Sequence, residues 1–334
     1  MCQYSCEDED GLATDWHLVH LGSRASGGAG IVMTEATAVT PRGRISPQDL
    51  GIWSDQHAEA LRPITEYIES QGATSGIQLA HAGRKGSTYR PSEGGGPVHD
   101  GSGWTPVGPT ADPWPADEPL SVERLDADGI DRVTEAFVDA ARRAVDVGFD
   151  VLEIHAAHGY LLHEFLSPVT NTREDEYGGS FENRTRLLRE IVTEVREAVP
   201  EGTPVFVRIS ATDWLPGRES WAVEDSARLA GELGPLGVDL VDVSSGGIHP
   251  DQQLPDAGPH YQVPYAERVA ESGTPVGAVG KITTPEGADE VVRNGRADLA
   301  IVGREHLRDP YFAIRAAEEL GHDAPVPRQY TRGF

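Results

Sequence analysis

The run Glu153-Ile154-His155-Ala156-Ala157-His158-Gly159-Tyr160 closes an apolar stretch with two imidazoles and a phenol. Leaving a strand end at this spacing, both imidazoles can converge on one oxygen atom, and the tyrosine reaches the same small volume. Donors so placed stabilise negative charge developing on a carbonyl oxygen. A phenol with an ordinary pKa of about 10 can deliver a proton to carbon. Two other readings stay open at this point. The pair could ligate a metal, although no carboxylate or further histidine sits at ligand spacing nearby. It could also be two structural histidines at a strand end. A second chemical signal lies late in the chain, where Gly277-Ala278-Val279-Gly280 and Val302-Gly303-Arg304 end two apolar runs. Glycines there let backbone N–H groups approach an anion, and Arg304 adds a charged clamp. Glycines at strand ends are also ordinary turn residues. Arg208 ends Val205-Phe206-Val207-Arg208, and a cation at the end of a buried strand is costly unless it is paired.

The elements that must carry these residues are short apolar runs alternating with helical patterns, as in parallel βα units. Strands are expected at 30–39, 75–80, 151–155, 205–210, 238–244, 276–279 and 299–302. Helices are expected at 54–70, 130–147, 182–198, 223–233, 285–293 and 310–320. Ala136, Ala140, Ala141 and Ala144 help define the packing face of the second helix. The stretch from Lys85 to Leu120 is rich in Gly, Pro and Asp without periodicity, which suggests an active-site loop. The whole reads as a single-domain α/β protein, a (β/α)8 TIM barrel, with catalytic side chains at the strand tips. Only seven βα units are found. The missing strand should precede Gly30, so either the barrel is open or the recorded start is late, with a late start favoured.

Composition narrows the function classes. The formal charge is −26, from 54 acidic and 28 basic residues, of which only Lys85 and Lys281 are lysines. Such a field repels phosphate backbones, so no nucleic-acid partner is expected. It reads as a halophile's surface, whose self-repulsion strong salt would screen. There is no apolar run long enough for a membrane helix, and Met1 to Gly11 is acidic rather than signal-like. The expectation is a cytoplasmic enzyme with no membrane partner. Two cysteines, Cys2 and Cys6, make neither a disulfide framework nor an iron–sulfur site.

Six segments together resemble the old yellow enzyme family, and specifically its thermophilic-like branch. They are Met1-Cys2-Gln3-Tyr4-Ser5, Gln78-Leu79-Ala80-His81-Ala82-Gly83-Arg84-Lys85, the His155/His158/Tyr160 block, Asp175 to Arg184, Gly303-Arg304 and Tyr330-Thr331-Arg332-Gly333-Phe334. The resemblance implies an NADPH dehydrogenase, an NAD(P)H:FMN oxidoreductase that reduces activated C=C bonds, with FMN bound and NADPH or NADH as hydride donor. By that likeness Cys2 tunes the flavin, Ala36 gives the ring a backbone contact, Gln78 bonds its pyrimidine edge and Arg208 faces N1 and O2. Ser245, Gly246, Gly280, Gly303 and Arg304 fall around the phosphate. His155 and His158 hold the substrate carbonyl oxygen, Tyr4 assists them, and Tyr160 stands as proton donor. Arg332 would reach a neighbour's active site, which requires a homodimer or larger homo-oligomer. The likeness also implies that an N-terminal hairpin is truncated together with the first strand. No resident metal is expected. The alternatives are a flavin-binding relic impaired by its short N-terminus, and a metal-dependent barrel hydrolase.

Overall fold

Seven strands pair in parallel, in chain order, into one curled sheet of a β/α barrel. They are β1 (Ile31–Ala38), β2 (Thr74–Ala80), β5 (Val151–Ala156), β6 (Val205–Ser210), β7 (Leu240–Ser244), β8 (Val276–Ala278) and β9 (Leu299–Ala300). Two further strands, β3 (Val107–Gly108) and β4 (Glu123–Arg124), form a separate pair. The computed structural model describes residues 1–255 and 257–333, so Phe334 of the C-terminal motif lies outside the described residues. Every residue of β5 and of β7 is buried, as expected for strands with side chains covered on both faces. Among the described residues β1 and β9 are not paired with each other. The N-terminal segment lies beside both: the Glu35 carboxylate on β1 is close to the backbone N–H groups of Gln3 and Tyr4. A Cβ placed on Gly303 would come within 3.5 Å of Met1 Sδ.

Ten helices are described: α1 (Asp15–Ser26), α2 (Asp55–Ser70), α3 (Ala127–Asp146), α4 (Leu161–Leu166), α5 (Phe181–Ala198), α6 (Val223–Leu233), α7 (Val263–Ala270), α8 (Pro285–Arg293), α9 (Arg304–Arg308) and α10 (Phe312–Glu319). The helix expected at 130–147 starts earlier, because the Asp126 side chain accepts the Gly129 N–H and caps it there. Thr284 caps α8 in the same way, with Pro285 in the first turn. Four helices were not expected from periodicity. Of these α4 has all six residues buried, which leaves no polar stripe to read. The N-terminal stretch also contributes to the core through Cys6, which is fully buried. The segment after Lys85 is not structureless: it holds the β3–β4 pair and folds back so that Trp114 covers Lys85, whose Nζ lies 4.5 Å from the ring centroid. No helix among the described residues is long and apolar enough to cross a membrane.

Candidate active site

The chain leaves β5 through a turn that an L-residue adopts only under constraint: φ is +57° at His158 and +74° at Gly159. Left-handed backbone at a non-glycine residue costs about 1–3 kcal/mol and persists where its surroundings over-determine it. Here they do. The His158 N–H donates to Ser210 Oγ at 2.9 Å, and its carbonyl accepts from Lys85 Nζ at 2.8 Å. The Gly159 N–H donates to His163 Nδ1 at 2.9 Å. That acceptance puts the His163 proton on Nε2, 3.0 Å from Asp213 Oδ1 in a fully buried pair. Asp213 Oδ2 in turn accepts from Ser167 Oγ and from the Trp221 N–H. Only glycine fits at 159, because a Cβ there would stand 2.1 Å from the Gly247 carbonyl oxygen.

The turn brings His155, His158 and Tyr160 together. Ring centroids are 5.2 Å apart for the two histidines and 5.0 Å for His155 and Tyr160. Burial, and then the Arg208 charge, hold both imidazoles well below the usual histidine pKa, so both are neutral. The Ala157 N–H donates to His155 Nδ1, which leaves the His155 proton on Nε2. That nitrogen lies 3.3 Å from His158 Nδ1, and His158 Nε2 lies 2.7 Å from Ser244 Oγ. A hydroxyl donates or accepts, so Ser244 is compatible with either His158 tautomer. Burial raises the Tyr160 pKa further above its ordinary value, with the nearby Cys2 and Tyr4 adding to it. Tyr160 is therefore a phenol, not a phenolate, at neutral pH.

Cys2 and Tyr4 arrive from the N-terminal segment. Burial, then Asp49 and Glu35, push the Cys2 thiol up to about 12, so it is protonated at neutral pH. Cys2 lies close to the backbone of Ala36 on β1 and to the Tyr4 side chain. Tyr4 has φ +53°, and its carbonyl accepts from Arg90 Nη1. Tyr4, Lys85, Trp114 and Tyr160 line a cavity of about 260 Å³ walled by the long loop.

Beneath the histidines, Arg208 on β6 pairs in register with His155 on one side and Asp242 on the other. Arg208 Nε lies 3.1 Å from Asp242 Oδ2. Gln78 is in register with Glu153 and donates to its Oε1 at 2.6 Å. The β7–β9 ends differ. The Ser245 hydroxyl donates to Gln262, and the Gly246 N–H to the Thr212 carbonyl, so these two groups are partnered within the chain. Gly280 has φ +134°, and Gly303 leads directly into exposed Arg304, whose guanidinium makes no hydrogen bond among the described residues. Arg332 lies exposed in the tail.

Sequence reasoning missed several members of this site: Glu35, Lys85, Glu153, Ser210, Asp242, Ser244 and the His163–Asp213 pair. A signal existed for the strand residues. A polar side chain inside an apolar strand, as in Val241-Asp242-Val243, is costly to bury without a partner.

Fold and site together define a barrel oxidoreductase whose working groups stand at the carboxyl ends of the strands. The model of the NADH:flavin oxidoreductase / NADH oxidase family matches residues 1–323, and the chain belongs to that family. An NADPH dehydrogenase of Geobacillus thermodenitrificans is 49% identical over 335 residues, covering 100% of this chain and 92% of the relative. The NADPH dehydrogenase of Bacillus subtilis is 46% identical over 340 residues, covering 100% and 93%. Among solved structures, the old yellow enzyme homologue from Zymomonas mobilis superposes with a TM-score of 0.77 at 28% identity, over 95% of this chain and 86% of that one. Morphinone reductase does so with a TM-score of 0.76 at 25% identity, over 97% and 85%. The chain is thus an old yellow enzyme-type oxidoreductase that uses FMN and a reduced nicotinamide.

The residues present fit FMN. Arg208 is held only by the ion pair of its Nε with Asp242 Oδ2, its side chain is 22% exposed, and its guanidinium carries no hydrogen bond among the described residues. Gln78 likewise commits one N–H to Glu153, while its carbonyl oxygen has no partner among them. A flat, polar-edged heterocycle needs such a cation and such an acceptor.

Proposed function

We propose that the chain is an ene-reductase that saturates the C=C bond of α,β-unsaturated carbonyl compounds and similar activated alkenes at the expense of NAD(P)H. Arg208, Gln78 and the Ala36 backbone would hold the isoalloxazine of FMN beside Cys2. Gly280, Gly303 and Arg304, with Ser245 and Gly246, would surround its phosphate. Bound FMN supplies a two-electron carrier that takes hydride from the nicotinamide and hands it to the alkene's β-carbon. The protein's own part is to grip, orient and protonate.

The observation that carries this reading is the pair of neutral imidazoles, 3.3 Å apart nitrogen to nitrogen, aligned with the Arg208 strand position. A substrate carbonyl oxygen would enter between them and accept the His155 Nε2–H. It would also accept a hydrogen bond from His158 Nδ1–H in the tautomer in which Ser244 Oγ donates to His158 Nε2. The His155 donor is already in place, the His158 donor requires the second tautomer, and both strengthen as charge gathers on the oxygen. Tyr4 assists from the N-terminal side. The proton for the α-carbon would come from Tyr160, held as a neutral phenol against His155, or from solvent.

Anaerobic NADPH should bleach the flavin absorbance of purified protein, and an added enone such as 2-cyclohexenone should restore it. Bleaching with no recovery by any activated alkene would remove the ene-reductase assignment while leaving the dehydrogenase intact. Ser244→Ala should slow only the recovery step.

The 85–120 segment is proposed as the active-site loop of a single-domain enzyme, supported by its place in the cavity wall. Exposed Arg332 is proposed to enter the site of a second copy. The charge of −26 is proposed as adaptation to a salty cytoplasm. Light scattering on Arg332→Ala, and melting in rising KCl, test these two.

A further inference from the structure

Four polar side chains from four neighbouring strands meet just below the histidines: Gln78, Glu153, Arg208 and Asp242. Gln78 is 5% exposed, Glu153 3% and Asp242 2%, so these groups are shut away from water. Each carboxylate holds the inner edge of one partner. Asp242 Oδ2 lies 3.1 Å from Arg208 Nε, and Glu153 Oε1 accepts from Gln78 Nε2 at 2.6 Å. In both cases the outer edge, the guanidinium terminus and the amide oxygen, is left uncommitted among the described residues. Asp242 Oδ1 and Arg208 Nε are buried and neither has a hydrogen-bond partner among them, so the 3.1 Å approach of Asp242 to Arg208 is an ion pair and not a hydrogen bond.

The charges do not balance if every group is ionised, because two carboxylates face one guanidinium. Burial raises the Glu153 pKa and then Asp242 raises it further, while Asp242 is itself raised by burial. Of the other titratable neighbours, His155, His158 and Cys2 are uncharged, and the N-terminal ammonium is the weakest of the influences on Glu153, behind burial, Asp242, Arg208 and Gln78. A buried layer with a net negative charge is the costlier state, and two close carboxylates of this kind retain a proton between them.

We propose that Asp242 and Glu153 are positioning residues of the flavin site, Asp242 aiming the Arg208 guanidinium and Glu153 aiming the Gln78 amide. Together they retain one proton, so that the layer behind the presented cation is electrically neutral. This rests on the reading that Arg208 and Gln78 touch FMN. Neutrality keeps Arg208 available to the cofactor, since a second full negative charge behind it would cancel its field where electron density gathers on reduction.

The test uses purified holoenzyme and two readouts, FMN affinity from the fluorescence of released flavin and the two-electron midpoint potential from anaerobic dye equilibration. Glu153→Ala and Asp242→Ala should each weaken FMN binding about tenfold. Glu153→Gln and Asp242→Asn, which keep shape and an acceptor oxygen, should restore it. Each single amide variant should leave the potential unchanged, because losing one carboxyl group also releases the shared proton. The double variant Glu153→Gln/Asp242→Asn leaves the layer positive and should raise the potential. A tenfold gain in preference for reduced flavin corresponds to about 30 mV. Single amide variants that each raise the potential would overturn the retained proton. Alanine variants that bind FMN like the parent would overturn the positioning. Should either alanine variant fail to fold, Asp242→Leu and Glu153→Met replace the carboxylates by apolar side chains of similar size, and parent-like FMN affinity in these would overturn the positioning equally. Arg208→Met and Gln78→Ala serve as the reference. If they leave both affinity and potential unchanged, the underlying flavin contacts are wrong and not merely their support.

Discussion

The turn after β5 and the turn after β9 end strands of the same sheet, yet they are built in opposite ways. At the β5 end, a strained residue is held by side chains from β6, α4 and the long loop, and the glycine beside it touches the backbone of another turn. At the β9 end, the strand is two residues long, a Cβ on Gly303 would meet nothing nearer than 3.5 Å, and Arg304 projects into solvent. The contrast follows from what each end is proposed to hold. Gripping a reacting oxygen demands placement within a fraction of an ångström. Attracting a phosphate needs charge and open backbone, and these tolerate a looser frame.

The sharpest way to break this comparison is His155→Ala/His158→Ala. Alkene reduction should fall by about two to four orders of magnitude while FMN content is unchanged, measured by reoxidation kinetics and flavin absorbance. Flavin loss in that variant would show that the rigid end serves the cofactor and not the substrate. Gly159→Ala comes next. Its Cβ would collide with the Gly247 carbonyl, so the turn must move, and a shift of about 1 Å should cost roughly a hundredfold in kcat along with a lower melting temperature. Arg304→Ala probes the open end. FMN should bind about tenfold more weakly with no change in melting of the flavin-free protein, because losing an exposed cation leaves no packing defect. A marked fall in that melting temperature would mean that the β9 turn is as braced as the β5 turn.

Stability and not activity is at stake at Glu164, which accepts the Arg84 N–H beneath the long loop. Burial pushes its carboxyl from 4.5 up to about 8, against the pull of Arg84 and Lys85. The folded state therefore binds this proton more tightly than the unfolded chain. Its contribution is fully present below pH 4.5 and is lost as pH rises through about 8, with a slope of at most about 1.4 kcal/mol per pH unit. Glu164→Gln should flatten the decline in stability between pH 5 and 8, as read from denaturant melts at a series of pH values.

Most of the sheet was legible because its strands are apolar runs between turn residues; β6 and α6 fall where periodicity placed them. Short or wholly buried helices were not, since α4 offers no alternation and α1 begins at a cap that Thr14 and His17 make together. His155, His158 and Tyr160 could be found from spacing alone, because one turn of chain brings them together. The partners beneath them could not. Glu153 meets Gln78, and Asp242 meets Arg208, only through strand registers that no local pattern specifies. Gly159 gave equally little warning, as its role is set by a carbonyl nearly ninety positions away in the chain.

Arg90 belongs to the segment that walls the substrate cavity, and it also grips the carbonyl of Tyr4, two positions from the thiol at Cys2. That single guanidinium ties the cavity wall to the strip of chain expected to border the redox ring. On the proposed roles, reshaping the wall to admit bulkier guests would tug on the Cys2 side as well, so that specificity and redox tuning would be coupled traits.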